Sequence, residues 1–181
     1  MTKFILCLSL IFSFSGVSAQ TLAGAASRWG DSFREWVIYT DEDGNEGDLH
    51  LRWQNTDKWD EWEYRLDGVS GAIKIKWPQD PREWEIRSSE GDIVSAKTLW
   101  NNNFREWRIS NNDLQMNLVC RYNNSWDEWE VRGNSGNMEI YSAFAGDPRD
   151  WVVIDELDND VPAAMRMAIL FIVLFQSSPK Q

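Results

Sequence analysis

Six times along the chain an acidic residue stands directly before a tryptophan or closes the pair that precedes it. The pairs are Arg34-Glu35, Asp60-Glu61, Arg82-Glu83, Arg105-Glu106, Asp127-Glu128 and Arg149-Asp150. Neighbouring titratable groups held in different environments are what general acid–base chemistry uses. A catalytic pair is a singular feature of a fold, however, and here the pair recurs with the scaffold. Loop capping and surface ion pairing are therefore the expected roles, each worth little alone. The segment TDEDGNEGD (40–48) gathers several carboxylates in a turn of the kind that can hold Ca²⁺. It misses the EF-hand pattern: counting from Asp41, position six is Glu46 rather than Gly and position twelve is Arg52 rather than Glu.

The remaining reactive residues are few. His50 is the single histidine and alternates outward between Leu49 and Leu51, so zinc is not expected. Beyond Cys7 the chain holds one cysteine, Cys120, in phase with Leu118 and Tyr122 and without a basic partner; it reads as a buried thiol. No phosphate loop, nucleophile elbow or dinucleotide fingerprint is present, and no catalytic residue, metal or cofactor is assigned.

Aromatic residues are the other chemistry on offer. Aligned on tryptophan, the chain gives RWGDSFREWVI (28–38), RWQNTDKWDEWEY (52–64), KWPQDPREWEI (76–86), LWNNNFREWRI (99–109), RYNNSWDEWEV (121–131) and AFAGDPRDWVV (143–153). The second tryptophans of the units are Trp36, Trp62, Trp84, Trp107, Trp129 and Trp151. A first aromatic precedes each: Trp29, Trp53, Trp77, Trp100, Tyr122 and Phe144. A mouth lined by both classes would form a platform for sugars or lipid tails. Their phase with Ile38, Ile86 and Ile109 favours the alternative, that they seal a core. The third aromatics, Phe33, Trp59, Phe104 and Trp126, stand in loops where Pro81 and Pro148 replace them, and are the expected exposed binding surface.

Each unit reads as two strands around a short loop. Leu49/Leu51, Ile73/Ile75, Leu114/Met116/Leu118 and Met138/Ile140 alternate with polar residues along the first strands. Along the second strands Trp62/Tyr64, Trp84/Ile86, Trp107/Ile109 and Trp129/Val131 alternate with Glu and Arg. This is period-two patterning with one apolar and one charged face. Six such units make twelve antiparallel strands, and closure removes the edges an open sheet exposes. A closed sheet of this size, tilted by ~40°, has a radius of roughly 12 Å, enough for a helix and one layer of side chains.

The tail supplies that helix. Met165 to Phe175 reads MRMAILFIVLF, apolar on every side after Arg166, which demands enclosure. It is shorter than the ~20 residues of a membrane span. Ile169, Phe171, Ile172 and Phe175 are its expected core contacts, beside the six second tryptophans. An outer-membrane barrel needs apolar outward positions, where this chain places Glu, Lys and Arg.

Residues 1–19 read as a secretory signal peptide: Lys3, an apolar run and Val17-Ser18-Ala19, with cleavage after Ala19. A secreted or periplasmic location follows. Residues 20–181 then form one barrel domain, with repeats over about 24–155 and the central helix over about 162–175. The net charge is −11, and −12 once Lys3 leaves, which argues against nucleic acid and anionic membrane surfaces.

At the tail, Asp158, Asp160, Val161, Met165, Arg166, Ala168 and the apolar run Ile169–Phe175 resemble the C-terminal segment of phospholipid scramblases. That family is similar to tubby-like C-terminal domains and plant LURP-one-related proteins. The resemblance implies a twelve-stranded barrel around a central C-terminal helix. The basic cluster that tubby-like domains direct at phosphoinositides, and the acylated cysteines of scramblases, have no counterpart here.

The expected fold class is all-β with one helix: a closed, twelve-stranded, antiparallel up-and-down barrel enclosing a hydrophobic C-terminal helix. The expected function is a secreted non-enzymatic binding or structural module, its partner a small molecule, glycan or protein, with no transmembrane span. A lipid-interacting, scramblase-like protein is the second reading and a carboxylate-based hydrolase at a barrel mouth the third.

Overall fold

The structure, a computed structural model, describes residues 21–41 and 46–180. The expected signal peptide and residues 42–45 of the acidic turn lie outside the described residues. Six hairpins follow one another: β1 (Leu22–Trp29) with β2 (Ser32–Thr40), β3 (Glu46–Leu51) with β4 (Glu61–Leu66), and β5 (Val69–Trp77) with β6 (Asp80–Ser88). The second half repeats the arrangement with β7 (Ile93–Trp100) and β8 (Asn103–Ser110), β9 (Gln115–Cys120) and β10 (Glu128–Arg132), and β11 (Gly136–Phe144) and β12 (Asp147–Leu157). Each strand pairs antiparallel with its sequence neighbours, and β1 pairs with β12 to close the barrel.

The inner face is built in layers because the register is the same in every unit. One layer is the row of second tryptophans, none more than 3 % exposed. The next comprises Ile38, Tyr64, Ile86, Ile109, Val131 and Val153, all buried. They face Ala25, Leu49, Ile73, Ala96, Leu118 and Ile140 across the hairpins. Outward positions carry cross-strand ion pairs such as Lys74–Glu61 (3.2 Å) and Arg65–Asp48 (2.7 Å). Gly71 is required at its place: a Cβ there would stand 2.3 Å from the Tyr64 ring that lies across it.

α1 (Ala163–Ser177) fills the interior. Its residues 164–174 are consecutively buried, three turns with no exposed side, so the helix is enclosed all round. Phe171 meets Trp62 and Trp84 edge-on at centroid separations of 5.7 and 4.9 Å. Arg166, the one charged residue of α1, forms a fully buried ion pair with Asp155. Its guanidinium also donates to the carbonyls of Leu157 (3.2 Å), Asp158 (2.9 Å) and Val161 (3.4 Å). Asp155 in turn accepts the backbone N–H groups of Leu22 and Leu157, both at 3.1 Å. This cluster ties the helix entrance to the seam where the barrel closes. No helix among the described residues is long and apolar enough to cross a membrane.

The hairpin loops, all at the end where α1 finishes, are either short or long. β1/β2, β5/β6, β7/β8 and β11/β12 are joined by two residues, whereas 52–60 and 121–127 are long. The order is short, long, short, then short, long, short. Residue types follow it: Phe33, Trp59 and Pro81 in the first half correspond to Phe104, Trp126 and Pro148 in the second. The barrel is therefore two similar halves of three hairpins each.

The four short hairpins share an irregularity that the alternation does not reveal. Ile75 pairs with Trp84, but Trp77 pairs with Asp80, so one residue of β5 faces three of β6. The same two-residue shift separates Ser27 from Trp29, Thr98 from Trp100 and Ser142 from Phe144. Such a bulge breaks the inward–outward count. In three of the four the turn beyond it takes a positive φ at its third residue, Gln79 (65°), Asn102 (62°) or Gly146 (77°).

Candidate functional site

The bulges decide which aromatics reach solvent. The first aromatics, expected to seal the core, lie outside it: Trp29 is 54 %, Trp53 51 %, Trp77 56 %, Trp100 63 %, Tyr122 46 % and Phe144 65 % exposed. They form a collar, one per hairpin, around the end of the barrel where α1 finishes. In four units the bulge turns them outward; Trp53 and Tyr122 stand past the ends of β3 and β9 at the start of the long loops.

The acid of the repeated pair fixes four members of this collar. The indole N–H donates to a glutamate Oε2 in four units: Trp29 to Glu35 (3.2 Å), Trp53 to Glu61 (3.3 Å), Trp77 to Glu83 (3.2 Å) and Trp100 to Glu106 (3.1 Å). Where the first aromatic lacks an indole the glutamate is used otherwise. Glu128 takes Arg121 at 3.2 Å, and the unit with Phe144 has Asp150 at that place. Burial alone would raise the Glu83 carboxyl; bonds from Lys76 and Trp77, with Lys97 nearby, outweigh it and hold it below the usual carboxylate value. Glu61 is lowered in the same way, burial being outweighed chiefly by Lys74, with Trp53 and Arg52 contributing. Glu61 and Glu83 are thus held ionised as anchors.

The basic partner of the repeated pair has two roles, set by the loop that follows. Arg34 donates to the carbonyls of Gln54 and Thr56 (2.9 Å to the latter) and lies 5.2 Å from the Trp59 ring. Arg105, its equivalent, reaches the carbonyls of Tyr122 (2.6 Å) and Ser125 (2.7 Å) and stacks on Trp126 at 3.8 Å. Each braces the long loop of the next unit. Arg82 and Arg149 precede short hairpins and instead fold back on Asp80 and Asp147. The Arg82 hydrogen bonds pull the Asp80 carboxyl down to about 2.

The third aromatics are half-buried rather than exposed. Their backbone explains it: each second tryptophan donates its indole N–H to the carbonyl three residues earlier. The distances are 3.1 Å for Phe33, 3.2 Å for Trp59, 2.9 Å for Pro81, 2.8 Å for Phe104, 2.9 Å for Trp126 and 2.9 Å for Pro148. The loop is thereby folded over the inner ring. Phe33 packs on Trp36, Trp59 on Trp62, Phe104 on Trp107 and Trp126 on Trp129, with centroids 5.8–6.1 Å apart. Trp59 also lines an open groove, about 440 Å³, with Ile75, Pro78, Pro81, Trp84 and Phe175. Phe175, expected wholly in the core, is half-buried at this groove. In the other half Ser177 closes the equivalent position, bonding Trp126 O (3.1 Å) and Trp129 Nε1 (3.3 Å). Beneath Trp59 and Phe175 the gap toward the helix is about 10 Å³, no larger than one water needs.

The other candidates are accounted for by their contacts. His50 lies on the outer face between Asp48 (3.1 Å) and Glu63 (3.5 Å). No group of three metal-ligating side chains is assembled among the described residues. Cys120 is buried and free, beside Arg105 at 3.1 Å; burial raises its thiol above the usual value despite that cation. No protein-family model, curated protein or solved structure matches the chain.

Proposed function

We propose that the chain is a secreted or periplasmic, non-enzymatic binding module with the architecture of tubby-like barrels, and that it meets its ligand with the aromatic collar at the end of the barrel where α1 finishes. One observation carries the reading: every hairpin contributes one exposed aromatic at an equivalent position, and four are held by a dedicated glutamate. A large apolar ring left in water and fixed there is of no use to the core, whereas a rigid, amphipathic aromatic is what binding surfaces employ. Among the loop aromatics, Trp59 has the second claim, as a wall of the 440 Å³ groove, within the usual size of a ligand site; Phe33, Phe104 and Trp126 pack chiefly on the inner ring.

The scramblase-like reading receives less support. It calls for an apolar passage to the helix, and the gap there is about 10 Å³. A hydrolase calls for two carboxylates in divergent environments; the collar glutamates Glu61 and Glu83 are both shifted downward and hydrogen-bonded to the collar. The test is retention of the mature protein on three immobilised classes: polysaccharides, neutral and anionic lipid vesicles, and secreted proteins. Retention by one class, lost in the W29A/W53A/W77A/W100A variant at unchanged melting temperature, is expected. Retention by none, or retention that this variant keeps in full, contradicts the reading.

A further inference from the structure

The collar's chemistry narrows the ligand, and, resting on the binding-module reading, we infer that its partner is a neutral polysaccharide, stacked sugar by sugar on the outward indoles. A pyranose ring presents C–H groups on its faces and hydroxyls around its edge. It therefore needs a flat apolar platform bordered by groups that both donate and accept hydrogen bonds. The collar offers that combination. Trp29, Trp53, Trp77 and Trp100 are each more than half exposed, while their edges are fixed by Glu35, Glu61, Glu83 and Glu106. The face is set before a ligand arrives, so little side-chain entropy remains to be lost.

Side-chain amides border the platforms. Gln54 bonds Glu35 at 2.7 Å and Asn103 bonds Glu106 at 3.4 Å, placing amides beside Trp29 and Trp100. Asn101 and Asn102 occupy the exposed turn beside Trp100 and Asn103, and Asn123 and Asn124 the exposed loop between β9 and β10. An amide is both donor and acceptor, as a hydroxyl is. Three of the four collar carboxylates are paired with cations: Glu35 with Arg28, Glu61 with Lys74 and Glu83 with Lys76. A net charge of −11 disfavours polyanionic glycans and anionic bilayers, which leaves the neutral polymer.

Spacing adds the reason for a polymer. Successive collar aromatics are two strands apart, about 10 Å from the strand spacing, so an extended chain or a polysaccharide surface can engage several at once. Each contact is weak and the assembly is held by linkage between them.

The experiment is affinity electrophoresis and pull-down of the mature protein with cellulose, chitin, β-1,3-glucan and mannan. Alginate and phosphatidylcholine vesicles run beside them. Retention by at least one neutral polysaccharide is expected, weakened about 2- to 12-fold by each of W29A, W53A, W77A and W100A, the range of one aromatic contact. Retention should be abolished in the quadruple variant. The double variant W77A/W100A, losing both contributions, serves if the quadruple one does not fold. Free passage over all four neutral polysaccharides, or stronger retention on alginate, overturns the inference. If vesicles or proteins then retain the chain through the same tryptophans, the binding-module reading stands and only the ligand class falls. Polysaccharide retention indifferent to the double and quadruple variants overturns both.

Discussion

At the scale of single residues, the chain uses one amino acid for three jobs. Trp36, Trp62, Trp84, Trp107, Trp129 and Trp151 are buried spacers between sheet and helix; Trp59 and Trp126 cover them; Trp29, Trp53, Trp77 and Trp100 face water. The costs of truncation should separate accordingly. Trp84→Ala and Trp107→Ala remove fully buried indoles and should each cost about 3–5 kcal/mol in chemical denaturation. Trp77→Ala and Trp100→Ala should cost under about 1 kcal/mol, as surface changes do. Similar losses for both classes would mean that the faces have been misassigned. The inner class was legible in the sequence because its period-two pattern runs unbroken from each second tryptophan onward. The outer class was not, because counting by two from Ile73 and Ile75 carries Trp77 inward, straight through a bulge that the count cannot see. One signal was nevertheless present: an indole at the first position goes with Glu six residues on at Trp29, Trp77 and Trp100, whereas Phe144 goes with Asp150.

At the scale of elements, the twelve strands follow from local pattern, and the loops follow from contacts between neighbouring hairpins. The change from Arg-Glu to Asp-Glu before the second tryptophan was visible throughout. Its meaning needed geometry, since Arg34 and Arg105 serve the loop of the next unit and not their own. The half-burial of the third aromatics was not legible in the sequence for a related reason. A loop residue whose carbonyl accepts an indole N–H from the inner ring is drawn over that ring, and no spacing rule announces it. Arg105→Ala removes two hydrogen bonds from a charged donor and a cation stacked on Trp126, and should cost about 1.5–3 kcal/mol. Hydrogen exchange should quicken across 121–127. Arg82→Ala breaks only a solvent-exposed ion pair with Asp80 and should cost under about 1 kcal/mol. Slow exchange across that loop in Arg105→Ala would show that the loop holds itself.

At the scale of the whole molecule, sheet and helix require each other. The barrel is too wide for its own side chains to fill, and the tail is too apolar to stand in water. Both statements could be made from the sequence; the buried Arg166–Asp155 pair could not, because nothing in the spacing places the end of β12 beside the start of α1. Deleting residues 163–181 should leave a chain that aggregates and has no cooperative melt; a soluble product melting near the full-length temperature would contradict enclosure. With the helix inside, the first aromatics are surplus to the core and free to act outside it. That partition is the central claim, and it can be read tryptophan by tryptophan. The protein, labelled with 5-fluorotryptophan, gives one ¹⁹F signal for each of the 12 tryptophans, assigned by substitution. With a soluble paramagnetic agent added, the signals of Trp29, Trp53, Trp77 and Trp100 should broaden strongly and those of Trp59 and Trp126 partly. The six inner tryptophans should remain sharp. Broadening of Trp84 or Trp107, or protection of Trp77 and Trp100, would contradict the account.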